Sequence, residues 1–168
     1  DAEKSGRTEA DLVIVGAGMV GMTLACLLAP SGLNIKVLES RPLDLNGVAE
    51  AECVQREAGF DPRVSALTAA SQQVLTVAGA WSFMQQMRLS PYKAMNVWDG
   101  EGTGNIQFNC AELQESCLGH IVENRVTLTA LYQASIGLPN VELIDNAQLV
   151  SLSEPIAGRR LLTLSSGA

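Results

Sequence analysis

The sequence predicts an α/β chain organised around a βαβ unit, and three observations carry that prediction. Asp11-Leu-Val-Ile-Val15 is a short β-branched apolar block of the kind that forms a parallel strand buried on both faces. Gly16-Ala-Gly-Met-Val-Gly21 follows it directly as a glycine turn. Met19 to Ala29 is then rich in helix formers, with Pro30-Ser31-Gly32 as the stop, and Asn34-Ile-Lys-Val-Leu38 reads as a second strand ending at Glu39.

Leu12 to Ile35 carries no charged residue and is long enough to span a bilayer, so a membrane helix has to be weighed first. Gly16, Gly18 and Gly21, the Pro30-Ser31-Gly32 break and Asn34 argue against it. Glu9 and Asp11 stand where a signal peptide wants a basic flank. The βαβ reading accounts for the same residues better. In it Gly16 permits the tight turn, Gly18 removes a side chain that would block a pyrophosphate, and Gly21 lets the helix pack closely on the strand. Unpaired N–H groups and the positive end of the helix dipole then face an anion. Glu39 can accept hydrogen bonds from ribose hydroxyls, and its charge disfavours a 2′-phosphate. A bare G-x-G-x-x-G is weak evidence; preceded by a strand, opening a helix and followed by an acid at this distance, it points to a dinucleotide. FAD and NAD present the same ADP moiety to such a turn, so the unit does not choose between them.

Beyond Glu39, Ser40 to Gly59 is polar and lacks periodicity, which predicts a loop. Asp61-Pro-Arg-Val-Ser-Ala-Leu67 leads into a helix over 68–80, and Trp81 to Arg88 predicts a second, short one. Pro91-Tyr92 reads as a turn into the strand Ala94-Met-Asn-Val-Trp98, with Asp99 to Gly104 as a hairpin loop before Ile106-Gln-Phe108. Leu118-Gly-His-Ile-Val-Glu-Asn124 precedes a helix from about Arg125 to Ser135, and three strands are predicted over 141–144, 147–152 and 160–164.

Composition bounds the rest. The chain has 168 residues, with 11 Lys+Arg against 18 Asp+Glu and a net charge of −7. With 47% hydrophobic and 17% charged residues it can build a core, and its negative balance works against nucleic-acid binding. Four cysteines without a C-x-x-C pair and one histidine suggest neither a zinc cage nor a disulfide framework, and fit a reducing, cytosolic setting.

Several segments together resemble one family. Val13-Ile-Val-Gly-Ala-Gly-Met-Val-Gly21, Val37-Leu-Glu39 with Arg41, Asp61-Pro-Arg-Val-Ser-Ala-Leu67, Tyr92 and Met95 before Val97-Trp-Asp99, and Leu118-Gly-His-Ile-Val-Glu-Asn124 occur in the order found in the ubiquinone-biosynthesis hydroxylases. These belong to the FAD-dependent aromatic hydroxylases related to p-hydroxybenzoate hydroxylase, and the last segment with the Val-Trp-Asp strand most resembles the 2-polyprenylphenol hydroxylase branch. The likeness runs from about Asp11 to Leu131. It implies an incomplete FAD/NAD(P)-binding Rossmann-like domain over 11–90 and 115–168 and part of a β-rich substrate domain over 91–114; residues 1–10, before the likeness begins, are expected to form a disordered tail.

The resemblance further implies a flavoprotein monooxygenase in which NAD(P)H reduces FAD and dioxygen supplies an oxygen atom to an electron-rich phenol ring. Gly16, Gly18, Gly21 and Glu39 carry over as ADP-binding positions, Arg41 as a residue near the adenosine, Arg63 as a cofactor contact and Asn124 as a ribityl contact. Each also has a plain structural reading. Arg41 suits a solvated loop charge, Arg63 a surface arginine beside Asp61, and Asn124 a helix cap. His120, between apolar neighbours, reads as structural rather than as a base, and no catalytic residue is assigned. Trp81, Trp98 and Phe108 are expected to pack in a core or substrate domain. Two flavin-holding motifs of the family, an Asp-Gly and a later Gly-Asp, do not occur after Leu161-Leu-Thr-Leu164. The expectation is therefore a fragment of a longer hydroxylase, truncated within the flavin pocket, weak in FAD binding and not competent by itself. Composition predicts a cytoplasmic protein, and the family's polyprenylphenol substrates imply peripheral contact of the parent enzyme with the inner membrane and association with other quinone-pathway proteins. An NAD-dependent oxidoreductase domain and a non-catalytic nucleotide-binding module are the alternatives.

Overall fold

The structure is a computed structural model that describes residues 8–43 and 59–165. In chain order its elements are β1 (Leu12–Val15), α1 (Met19–Leu28), a 3-10 turn (Ala29–Ser31), β2 (Ile35–Leu38), β3 (Val64–Thr68), α2 (Ala69–Val77) and α3 (Trp81–Gln86). There follow β4 (Ser90–Tyr92), β5 (Ala94–Trp98), β6 (Asn105–Asn109), a 3-10 turn (Cys110–Leu113), β7 (Gly119–Glu123), α4 (Asn124–Ile136), β8 (Val141–Ile144), β9 (Leu149–Leu152) and β10 (Leu162–Leu164). The described residues of Asp1–Ala49 and Leu131–Ala168 form one compact unit, and those of Glu50–Ala130 form another.

In the first unit β1, β2 and β8 make a parallel sheet in the order β1-β2-β8. β2 lies in the middle, and all four of its residues are buried. Ile35 and Val37 are wholly inaccessible, a burial that contributes about 1.5–3 kcal/mol for each such side chain. Lys36 is the polar exception. Its aliphatic stem is buried while its ammonium pairs with Glu142, its cross-strand neighbour on β8. α1 buries Met22, Ala25 and Cys26, the spacing of one helical face, and burial pushes the Cys26 thiol pKa up. Gly32, at φ 76°, closes the 3-10 turn in the left-handed region. Asn140 then donates to the carbonyls of Ala29 (2.9 Å) and Leu33 (2.8 Å), which ties the turn after α1 to the segment before β8. β9 and β10 pair antiparallel.

In the second unit β7 is the centre of an antiparallel sheet ordered β3-β7-β4. Thr68 caps α2 by accepting from Ser71 N–H (3.3 Å). Leu75, Trp81, Met84, Val122 and Val126 supply the core, and Trp81 meets His120 edge-on at 5.2 Å between ring centroids. β5 and β6 form a separate antiparallel hairpin.

Three expectations need correction or restriction. Pro91-Tyr92 is not a turn. It lies in β4, an edge strand, where the missing proline N–H costs the sheet nothing on its open side. Of the three aromatics expected in a core or a substrate domain, Trp81 is in the core, and Trp98 and Phe108, 68% and 45% exposed among the described residues, are restricted to the second alternative. Most of the predicted 40–59 loop and of the 1–10 tail lies outside the described residues. The uncharged run from Leu12 to Ile35 folds as strand, turn and helix leading into β2, and among the described residues no helix is long and apolar enough to cross a membrane.

Candidate dinucleotide site

The glycine turn joins β1 to α1, and its geometry explains two of its glycines at once. Gly16 has φ +103°, a conformation L side chains rarely adopt. A Cβ on Gly21 would stand 2.0 Å from the Gly16 carbonyl oxygen, so only glycine permits the helix to approach the strand this closely. Gly18 differs: its backbone is extended and a Cβ there would meet nothing within 4 Å. The space beside it is open at the first residues of α1, whose N–H groups and dipole favour an anion. The donor set therefore fits a diphosphate.

Glu39 is held on every side. Its N–H donates to the Ile144 carbonyl (2.9 Å), its carbonyl accepts from Ala147 N–H (2.8 Å), and the neighbouring Leu38 carbonyl accepts from Gly16 N–H (2.7 Å). Its carboxylate reaches back to the turn, where Oε2 accepts from Ala17 N–H at 3.1 Å, while Oε1 accepts from Arg41 N–H (3.1 Å) and Ser40 Oγ (3.3 Å). Burial pushes this carboxyl pKa up, but the N–H groups of Arg41 and Ala17, the Ser40 hydroxyl and the Arg41 charge together hold it below the usual carboxylate value. Glu39 is thus an anion beside the turn, with one acceptor position left on Oε2. Tyr132, on the part of α4 within this unit, donates from its hydroxyl to the Ala17 carbonyl at 2.9 Å. Burial first, and then the Glu39 charge, push its pKa up to about 12.

Gly16, Gly18, Gly21, Glu39 and Arg41 therefore come together in the first unit. Arg63 and Asn124 come together in the second. Asn124 N–H donates to the Arg63 carbonyl (2.9 Å), and Ser65 Oγ donates to Asn124 Oδ1 (2.6 Å), which ties the backbone and the amide oxygen of Asn124 to the Arg63–Ser65 segment. The Arg63 side chain is 81% exposed, with Nε 3.7 Å from Asp61 Oδ1. Both segments rest on Glu123, a buried carboxylate that accepts from Asp61 N–H (2.8 Å) and Arg125 Nε (2.8 Å) and pairs with Arg88 at 3.3 Å. Burial pushes the Glu123 pKa up, but the Asp61 N–H, the Arg125 hydrogen bond and the charges of Arg125 and Arg88 outweigh it and hold it low. A groove of about 390 Å³ between α2 and residues 115–119 contains none of the sequence-derived site residues.

Sequence reasoning missed Tyr132 and the hub role of Glu123. An acid between apolar Val122 and Asn124 at a strand end was a usable sign for Glu123. Tyr132, within an apolar helical pattern, offered none.

Strand, glycine turn, helix and acid-tipped second strand define a dinucleotide-binding α/β unit of the Rossmann type. The family model described as an NAD(P)-binding Rossmann-like domain matches residues 14–71. The 3-demethoxyubiquinol 3-hydroxylase of Escherichia coli (strain K12) is 37% identical over 142 residues, which cover 84% of this chain and 34% of that protein. The mitochondrial ubiquinone biosynthesis monooxygenase COQ6 of Xenopus tropicalis is 34% identical over 146 residues, 86% of this chain and 30% of that protein. Among solved structures, p-nitrophenol 4-monooxygenase PnpA from Pseudomonas putida DLL-E4 superposes with a TM-score of 0.66 at 18% identity, covering 93% of this chain and 37% of that one. The tetrameric 2-methyl-3-hydroxypyridine-5-carboxylic acid oxygenase gives 0.63 at 19% identity, over 94% and 36%. These two likenesses show the fold. The chain belongs to the family of the ubiquinone-biosynthesis hydroxylases and monooxygenases, and it spans about a third of the length of the relatives it matches.

Proposed function

We propose that this chain holds the ADP part of FAD within an FAD-dependent monooxygenase that hydroxylates the aromatic ring of a polyprenylphenol in ubiquinone biosynthesis, with NAD(P)H and dioxygen as co-substrates. The observation that carries the binding reading is the open space at Gly18, facing the start of α1 and flanked by the anchored Glu39 carboxylate. The printed names of the relatives support the reaction class. In this reading the amides of the turn bind the diphosphate, Glu39 accepts from a ribose hydroxyl, Arg41 lies by the adenosine, and Arg63 and the Asn124 amide meet the rest of the cofactor. FAD, when bound, supplies the redox and oxygen-transfer chemistry; the residues of this chain bind and orient it. Residues 91–114 belong, in the same reading, to a substrate domain, and the prenylated substrate brings the protein to a membrane surface.

The test uses the geometry of Gly18. Because a Cβ there meets no protein atom, Gly18→Ala leaves the fold intact and intrudes only on the ligand. Titration of the intact protein with FAD, followed by flavin fluorescence, is expected to show a Kd raised at least about tenfold, or about 1.4 kcal/mol, with thermal stability unchanged. Unaltered FAD affinity in that variant would remove the turn from the binding site. Binding of NADH in place of FAD would favour the nicotinamide alternative.

A further inference from the structure

We propose that Tyr132 is a positioning residue for the diphosphate turn: its hydroxyl fixes the Ala17–Gly18 peptide so that the Gly18 N–H is turned toward the anion. The proposal rests on the dinucleotide reading of the turn and adds a residue to it. Ala17 is fully buried between two glycines, and a Gly-Ala-Gly backbone has wide conformational freedom that binding must otherwise freeze. Both polar groups of Ala17 are tied, the N–H to Glu39 Oε2 at 3.1 Å and the carbonyl to Tyr132 Oη at 2.9 Å. Peptide planarity makes the second bond consequential. In a trans peptide the carbonyl of one residue and the N–H of the next point in opposite directions, so the bond that draws the Ala17 oxygen to Tyr132 turns the Gly18 N–H away from it. Gly18 is also the residue beside which the space is open.

The phenol is well suited to this. It is 7% exposed, carried by a helix rather than a loop, and remains a proton donor across the working range because its pKa lies at about 12. Glu39 and Tyr132 then divide the labour. The carboxylate holds the Gly16–Ala17 peptide by its N–H, and the phenol orients the Ala17–Gly18 peptide by its carbonyl.

Tyr132→Phe in the intact protein tests this, since phenylalanine keeps the ring and deletes only the donor. ADP and FAD, titrated separately, are both expected to bind about tenfold more weakly and by the same factor, because they share the diphosphate. Amide hydrogen exchange is expected to quicken at Ala17 and Gly18 while β2 and β8 keep their protection, a pattern that general loosening of the core does not produce. 3-Fluorotyrosine at position 132 retains the donor and is expected to restore both affinity and protection. Equal ADP and FAD affinities for Tyr132→Phe and the unsubstituted protein overturn the proposal, as does exchange that quickens across the whole sheet. If the unsubstituted protein binds neither ligand, the dinucleotide reading fails by itself, and the ligand-free exchange comparison still decides whether the hydroxyl holds the turn.

Discussion

At the scale of single residues, what could be read in advance was what the local backbone demands. Gly16 and Gly21 are glycines because a positive φ and a 2.0 Å approach leave no alternative, and such needs appear directly in the letters. Glu123 and Tyr132 escaped notice because their partners, Asp61, Arg88 and Ala17, are brought to them only by the folded chain. Glu123 also has a definite acid response. Its folded pKa lies below its unfolded value, so its stabilisation is complete above the ordinary glutamate pKa of about 4.3 and is lost as the pH falls through the lowered value. Glu123→Gln is expected to cost about 2–4 kcal/mol at neutral pH, since Arg88 and Arg125 lose their buried counter-charge. Urea titrations at several pH values should also show a shallower decline between about pH 5 and pH 3 in the variant. An equally steep acid limb would mean that another carboxylate governs it.

At the scale of elements, periodicity and stop signals located α1, α2, α4 and most strands, because each has an inside face and a chemical end. β4 was misread because proline is as much an edge-strand residue as a turn residue, and only pairing with β7 separates the two. The junction of β1 with α1 makes the sharpest prediction at this level. Gly21→Ala forces a methyl group against the Gly16 carbonyl, and it is expected to lower unfolding free energy by about 1–3 kcal/mol in denaturant titration. Gly18→Ala, three residues earlier, is expected to change it by less than about 0.5 kcal/mol. The contrast separates the glycine kept for packing from the one kept for ligand.

At the scale of the molecule, the hairpin of β5 and β6 presents one apolar face, Met95, Val97, Ile106 and Phe108, opposite a mixed face carrying Asn96, Gln107, Asn105 and Trp98. All four apolar residues are exposed among the described residues. This chain is accordingly expected to bind a hydrophobic dye such as ANS, and Ile106→Thr with Phe108→Thr to reduce that fluorescence with little change in unfolding midpoint. Dye binding untouched by the pair would locate the sticky surface elsewhere. That these strands wanted a further layer was visible in their alternation; which residues provide it is a long-range matter that alternation does not encode. The parallel sheet has a consequence of its own. Lys36 finds its counter-ion in Glu142, 106 residues further along the chain. On the ribosome, the strand that steadies Glu39 therefore waits, with a lysine still seeking its carboxylate, until nearly all of this sequence has been translated.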